Sequence, residues 1–139
     1  MLATNTILDL SSNNIRGEIP PSIGNLSSLR LLNFSSNQLE WKIPTSLVAI
    51  STLEQLDLGK AKLSGEVPQE LSYLAMLAYL DVSTNALCGK IPPGIQFSTL
   101  NAASFQRNKC LCGFPLQTCK EKENLPQKTT CTNGSISQG

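Results

Sequence analysis

The chain has 139 residues, of which 40% are hydrophobic, 15% charged and 5% aromatic, and its 11 basic and 10 acidic residues leave a net charge of +1. This length predicts one domain, and the near-neutral charge disfavours electrostatic binding to nucleic acid or to an anionic membrane. The absence of histidine excludes Ser-His-Asp triads, Cys-His pairs and histidine metal sites, so we expect no enzyme, no metal and no cofactor.

The predicted elements recur every 24 residues. Leu8-Asp9-Leu10 returns as Leu32-Asn33-Phe34, Leu56-Asp57-Leu58 and Leu80-Asp81-Val82, and Ile19-Pro20 returns as Ile43-Pro44, Val67-Pro68 and Ile91-Pro92. A period of this length with the pattern L-x-x-L-x-L-x-x-N-x-L is the signature of leucine-rich repeats. It predicts four repeats, at about 5–28, 29–52, 53–76 and 77–100.

Each repeat is expected to begin with a short strand whose leucines face inward, because side chains alternate between the two sides of a strand. Stacking the repeats then builds a parallel sheet over one leucine core. The residue before each proline is driven towards an extended backbone, and the rest of each unit is long enough only for a helical turn. We therefore predict an α/β-type repeat solenoid, a right-handed coil with a short parallel β-sheet on its concave face.

The outward strand positions form the candidate binding surface of this solenoid. They are Ile7, Asp9, Ser11, Leu31, Asn33, Ser35, Gln55, Asp57, Gly59, Tyr79, Asp81 and Ser83. Concave faces of such solenoids bind proteins or peptides through contacts spread over several coils. The alternative is that the carboxylates are a solvated face and the coils a spacer.

Asparagines after the strands are expected to satisfy backbone groups of neighbouring coils. This predicted ladder consists of Asn13, Asn37 and Asn85, and Ala61 interrupts it in the third repeat. Trp41 stands where the other repeats have glycine. If that turn needs a positive φ, tryptophan costs on the order of 1 kcal/mol there. Its indole is either an anchor for a partner or a tolerated change that lies over the convex flank.

The repeats resemble the plant-specific leucine-rich repeat L-x-G-x-I-P, as in Lys62-Leu-Ser-Gly-Glu-Val-Pro68. Ser104-Phe-Gln-Arg-Asn108 with Leu111-Cys-Gly-Phe-Pro-Leu116 and Cys119 is similar to the C-terminal cap of plant receptor-like proteins, S-F-x-G-N-x-x-L-C-G-x-P-L-x-x-x-C. Here Arg107 replaces the usual glycine and Cys110 is an additional cysteine. The resemblance implies membrane-proximal repeats with a cap at 101–119. It also implies recognition of an extracellular protein or peptide, or docking to a partner receptor kinase, in defence or development.

The cap must cover the open end of the leucine core, and Phe105, Leu111, Phe114 and Leu116 are expected to form its lid. A Cys112–Cys119 disulfide would close a loop over it, and Cys88 could pair with Cys110. Five cysteines leave the pairing open, including reduced thiols, a zinc site at Cys110, Cys112 and Cys119, and an unassigned Cys131.

Three sequons, at Asn25, Asn33 and Asn133, fit N-x-[ST] and would carry glycans in a secreted protein. The first residues lack the basic and apolar regions of a signal peptide, and no apolar run reaches the roughly 18 to 20 residues that cross a bilayer. We therefore expect the chain to be the C-terminal part of a longer ectodomain, with self-association where the first coil is uncapped. The tail, 120–139, is polar and aperiodic and is predicted to be disordered.

Two alternatives to a receptor ectodomain stay open at this point. The first is a secreted, inhibitor-like leucine-rich-repeat protein that acts without a membrane anchor. The second is a truncated receptor remnant without an independent role.

Overall fold

The computed structural model describes residues 6–95 and 101–120. They form the predicted repeat solenoid, in which the first three coils each contribute a first strand, a second strand and a short 3₁₀-helix in the same order, and the fourth contributes the two strands. The first strands are β1 (Ile7–Asp9), β3 (Leu31–Asn33), β5 (Gln55–Asp57) and β7 (Tyr79–Asp81). They pair in parallel in the order β1-β3-β5-β7, with each residue opposite its equivalent 24 positions later.

A second parallel sheet lies beside the first, and the sequence analysis did not predict it. It contains β2 (Arg16–Glu18), β4 (Gln38–Lys42), β6 (Lys62–Gly65), β8 (Ala86–Lys90) and β9 (Cys110–Cys112), in that order. The extended backbone that precedes each Ile-Pro step supplies these strands. β9 shows that the cap continues the solenoid as a fifth coil.

The helical part of each coil is a 3₁₀-turn that begins directly after the proline of the Ile-Pro or Val-Pro step. These turns are η1 (Pro21–Asn25), η2 (Thr45–Ala49) and η3 (Gln69–Tyr73), and a shorter η4 (Ala102–Ser104) lies in the cap. The turns stack, since η1 packs on η2 and η2 on η3. Among the described residues, no helix has the length and apolar character needed to cross a bilayer.

One continuous core fills the space between the two sheets and the turns. The inward leucines Leu32, Leu56 and Leu80 are completely buried, and so is Phe105 of the cap. The repeat boundaries at 5–28, 29–52, 53–76 and 77–100 stay predictions, although the first and second strands recur in all four coils. Apart from Lys120, the tail predicted at 120–139 lies outside the described residues, and with it Cys131 and Asn133.

In the second sheet, β2, β4, β6 and β8 each contain a residue with a positive φ, and one follows β9 directly; this explains the recurring glycine. Gly17, Gly65, Gly89 and Gly113 have φ between 80° and 100°, and Trp41 has φ 71° at the same position. From Gly65 onward, the side chain of the preceding coil lies across the glycine: a Cβ atom would come within 3.3 Å of Lys42 Cγ at Gly65 and within 3.1 Å of Glu66 Cγ at Gly89. Glycine is therefore needed at these positions both for its backbone freedom and for close approach.

Candidate functional site

The outward side chains of the first sheet form three rows that cross its strands. The first row is Ile7, Leu31, Gln55 and Tyr79; the second is Asp9, Asn33, Asp57 and Asp81; the third is Ser11, Ser35, Gly59 and Ser83. The parallel register brings together all the residues that the sequence analysis placed on the concave face. The side chains of the second row, together with the hydroxyls of Ser11 and Ser83 in the third, form hydrogen bonds within turns, whereas the first row supplies none of these turn contacts.

Each side chain of the second row closes a turn at the end of its own strand. Asp9 Oδ1 accepts hydrogen bonds from the Ser11 backbone N–H (3.0 Å) and the Ser11 hydroxyl (2.7 Å), and Asp81 Oδ1 accepts the same pair from Ser83 (2.8 and 2.6 Å). Asn33 Oδ1 accepts only the backbone N–H of Ser35, at 2.9 Å. These are Asx turns, in which a side chain replaces a backbone acceptor. The repeated D-x-S spacing was the signal in the sequence that the analysis missed.

Asp57 is the exception in the second row, because its turn contains Gly59 and no hydroxyl. Its Oδ1 accepts only the Gly59 N–H, at 3.0 Å. Partial burial raises the pKa of Asp57 above its ordinary 3.8, and the nearby carboxylate of Asp81 raises it further. The hydrogen bond from the Gly59 N–H lowers it, but the net shift is upward. The pKa of Asp9 is instead lowered, chiefly by the Ser11 hydroxyl. The row therefore contains carboxylates of unequal basicity.

The first row exposes large apolar side chains that take no part in the turns. Ile7 is 62% exposed and Tyr79 45% exposed, at opposite edges of the four-stranded sheet. Burial raises the pKa of the Tyr79 hydroxyl above its ordinary 10.0, and the carboxylates of Asp57 and Asp81 add to this shift. The hydroxyl donates a hydrogen bond to Asp81 Oδ2 at 3.5 Å. An exposed tyrosine with a protonated hydroxyl can offer both a ring face and a hydrogen bond to a partner.

The asparagine ladder lies behind the concave sheet and holds neighbouring coils together. Asn37 is buried; its Oδ1 accepts hydrogen bonds from the backbone N–H groups of Asn13 and Ile15 (3.1 Å each), and its Nδ2 donates to the carbonyls of Leu10 and Phe34 (2.9 Å each). The Asn13 side chain bonds within its own coil, where its Nδ2 donates to Leu10 O and Ser11 O. The ladder is therefore structural and contributes no side chain to the concave surface.

The ladder also extends into the cap, which the sequence analysis missed. Asn85 Nδ2 donates to Leu58 O (2.9 Å), and Asn108 Oδ1 accepts from Leu87 N (3.1 Å). The S-F-x-G-N motif could have identified Asn108, since its asparagine follows Phe105 as Asn85 follows Val82. Arg107 fits the cap because its φ of 60° matches Thr84, its equivalent in the last repeat, at 58°.

Trp41 lies on the second sheet and not on the concave face. Its backbone has a positive φ of 71°, which is strained for tryptophan as the sequence analysis expected, and its side chain is 63% exposed. The second sheet therefore carries an exposed indole in the row where the other coils have glycine.

The cap is closed by two disulfides. Cys112 is joined to Cys119 (Cα–Cα 4.9 Å), and Cys88 to Cys110 (Cα–Cα 4.3 Å), which ties the last repeat to β9. With their sulfurs in disulfides, Cys110, Cys112 and Cys119 do not offer the thiolates that a zinc site would need.

The expectation that Phe114 forms part of the apolar lid was wrong. Its ring is 87% exposed, because it follows Gly113 at the position of the solvent-facing Lys90 in the preceding coil. Phe105 is the buried centre of the lid, and Leu111 and Leu116 pack partly against the core. A shallow cleft of about 570 Å³ lies at the cap, lined by these apolar side chains together with Arg107 and Gln117.

The two described sequons lie in different surroundings. Asn25 is exposed at the end of η1, whereas Asn33 is half-buried within the concave sheet. A glycan on Asn25 would leave the first row free, and one on Asn33 would cover it.

Comparison with known proteins places these features in a family. The family model for the leucine-rich repeat matches residues 6–26 and 28–49. The ectodomain of the receptor kinase SOBIR1 from Arabidopsis thaliana is 30% identical over 79% of this chain and 73% of that chain, with a TM-score of 0.58. The BIR2 ectodomain from the same plant is 37% identical over 80% of this chain and 59% of that one, with a TM-score of 0.78.

A further similar structure is the complex of BIR3 with SERK2 from Arabidopsis thaliana. Its matching chain is 38% identical over 81% of this chain and 60% of that chain, with a TM-score of 0.77. The chain thus spans about 60% of the length of the BIR2 and BIR3–SERK2 chains that it matches. A comparison with curated proteins finds no match.

Proposed function

Because the chain belongs to the leucine-rich-repeat ectodomains of plant receptors, we propose that its concave sheet recognises an extended peptide or protein segment outside the cell. The observation that carries this proposal is the first row. Ile7 and Tyr79 expose large apolar surfaces on a sheet whose second-row side chains are engaged in turns. Exposed aromatic and aliphatic side chains on a regular surface are typical of binding sites, and their burial supplies most of the affinity.

The concave sheet fits recognition without catalysis. In the second row, one oxygen of each carboxylate accepts the backbone N–H that closes its turn. A ligand crossing the strands would contact the four side chains of the first row in turn. In this arrangement the ring of Tyr79 anchors one end of the segment and Ile7 the other.

Selection from a library of random peptides on filamentous phage tests this function. The probe is the folded, oxidised protein, and the selected peptides are then measured by titration calorimetry. We expect Tyr79→Ala to weaken binding by at least about tenfold, which corresponds to about 1.4 kcal/mol. Tyr73→Ala is the matched control, because Tyr73 is 65% exposed but belongs to η3 on the opposite side of the coil.

Two outcomes would overturn the proposal. The first is that no peptide binds the oxidised protein above background. The second is that Tyr73→Ala weakens binding as much as Tyr79→Ala does, since the surface used would then not be the concave sheet.

We further propose that a receptor-kinase ectodomain is a second partner. Support comes from the 38% identity with a chain of the BIR3–SERK2 complex. The probe is the SERK2 ectodomain, titrated against this protein and, in parallel, against BIR3. Comparable affinities are expected; binding of BIR3 without binding of this protein would contradict the assignment.

A further inference from the structure

The last residues of three successive 3₁₀-turns form one row on the flank of the solenoid. Asn25 ends η1, Ala49 ends η2 and Tyr73 ends η3, and each is exposed. The turns pack side by side, and their equivalent residues are 24 positions apart. We call Asn25, Ala49 and Tyr73 the flank row. It lies away from the concave sheet and has no part in the function proposed above.

We propose that Asn25 carries an N-linked glycan whose first two N-acetylglucosamine rings lie along the flank row and stack on the ring of Tyr73. The proposal requires passage through the secretory route and so rests on the extracellular location proposed above. Asn25-Leu-Ser27 is the required acceptor sequence, and both Asn25 and Ser27 face solvent.

The modification is a transfer from a lipid-linked oligosaccharide diphosphate. A bond forms between Asn25 Nδ2 and the anomeric carbon of the first sugar, and the bond from that carbon to the phosphate oxygen breaks. The amide nitrogen gives up one proton, and the lipid diphosphate leaves with the bonding electron pair. No oxidant or reductant is needed.

The spacing of the coils allows the sugar to reach Tyr73. Neighbouring strands of a sheet are about 4.8 Å apart, and the turns stack with the same coils, so equivalent residues two coils apart, such as Asn25 and Tyr73, are separated by about 10 Å. Two linked sugar rings can cover this span. The equivalent residue of the coil between them is Ala49, whose side chain is a single methyl group and leaves room for the sugars to lie against the row.

The chemistry of Tyr73 suits the far end of the sugar. Its side chain is 65% exposed, and Met76, which is 51% exposed, follows three residues later. A sugar ring presents a face of C–H groups, and aromatic faces pack favourably against such apolar surface while the tyrosine hydroxyl remains in water. Covering Tyr73 in this way removes from water apolar area that the described residues leave exposed.

A thermodynamic cycle on secreted protein tests the proposal. Peptide mass analysis first establishes whether Asn25 is modified. Thermal unfolding is then measured for the parent, Asn25→Gln, Tyr73→Ser and the double variant. We expect Tyr73→Ser to lower the melting temperature about 2–4 °C more in the glycosylated protein than in the Asn25→Gln background. Tyr79→Ser is the matched control; its effect should be the same in both backgrounds.

Three results would overturn the proposal. They are an unmodified Asn25 in the secreted protein, an equal effect of Tyr73→Ser with and without the glycan, and a coupling as large for Tyr79→Ser. Peptide binding by the Asn25→Gln variant is measured in the same series. The flank row is not part of the concave sheet, so peptide binding should persist in this variant. Failure of the glycan proposal is therefore distinguishable from failure of the proposed function.

Discussion

At the scale of single residues, two aspartates in equivalent positions are expected to affect stability with opposite signs. The raised pKa of Asp57 means that the folded state holds its proton more tightly than the unfolded chain does. Stability from this group therefore declines as pH rises from 3.8 through the folded pKa. The lowered pKa of Asp9 means the reverse: its contribution is present above 3.8 and is lost as pH falls through the folded value.

Asp57→Asn should therefore raise the free energy of unfolding at pH 7, and the gain should shrink towards about pH 3. Asparagine keeps the oxygen that accepts the Gly59 N–H, as Asn33 does for Ser35. Asp9→Asn is the matched comparison and should lower stability at pH 7. Urea denaturation at the two pH values measures both. A loss of stability in Asp57→Asn at pH 7 would contradict the assignment.

Restoring the missing rung of the ladder is a second prediction at this scale. By the pattern of Asn37 and Asn85, an amide at position 61 would reach main-chain groups of two coils. Ala61→Asn should stabilise the fold by about 0.5–1.5 kcal/mol, the usual net value of an internal hydrogen bond. The urea midpoint measures it, with Ala49→Asn as an exposed control. A lower midpoint in Ala61→Asn would show that the coil has repacked around alanine.

At the scale of elements, the contact between η1 and η2 depends on Gly24. A Cβ atom at Gly24 would lie 2.6 Å from the backbone oxygen of Ser46, and the Ser46 hydroxyl donates to Pro21 O at 2.7 Å. Because the obstacle is backbone and not a flexible side chain, the two turns must separate to admit a methyl group. The stacking of the turns therefore sets a limit on the size of this residue.

Gly24→Ala should destabilise the protein by about 1–3 kcal/mol, the usual cost of overpacking. Gly17→Ala is the informative comparison, because its Cβ would meet open space and only its φ of 91° opposes the change. It should cost about 1–2 kcal/mol through the backbone alone. Thermal or urea unfolding measures both variants. If Gly24→Ala changed stability by less than about 0.5 kcal/mol, the close contact would not be a constraint.

The first sheet could be predicted from sequence, whereas the second sheet and the role of the second row could not. The alternation in Leu8-Asp9-Leu10 reports directly on a strand with one buried side. The second strands alternate less clearly, because a glycine or Trp41 interrupts each at a positive φ. The sequence placed the carboxylates on the candidate binding surface, with a solvated face as the alternative. Their bonds to Ser11 and Ser83 depend on the turn geometry, which the residue types alone do not specify.

At the scale of the whole molecule, the cap is held by two disulfides that close loops of different length. The Cys88–Cys110 disulfide spans 22 residues and joins two coils, while Cys112–Cys119 spans 7 residues within the cap. In the chain-entropy description, a longer closed loop restricts the unfolded chain more. The inter-coil bridge should therefore contribute more to the stability of the solenoid.

Replacing Cys88 and Cys110 together by serine should cost about 3 kcal/mol, and replacing Cys112 and Cys119 together about 2 kcal/mol. Guanidinium denaturation of each double variant measures the difference, and the fully reduced parent serves as the common reference. Equal losses, or a larger loss from the shorter loop, would show that strain in the folded cap outweighs loop entropy.

Side chains that lie over the glycines of the second sheet make the contact between neighbouring coils asymmetric along the chain. Lys42 lies over Gly65, Glu66 over Gly89 and Lys90 over Gly113, so at this row a side chain of one coil limits the residue that the next coil can have there. A substitution at Lys42, Glu66 or Lys90 therefore changes the space at the glycine position of the following coil. Units exchanged between such proteins, by recombination or by design, must consequently match at two unlike boundaries: one that receives a side chain and one that supplies it.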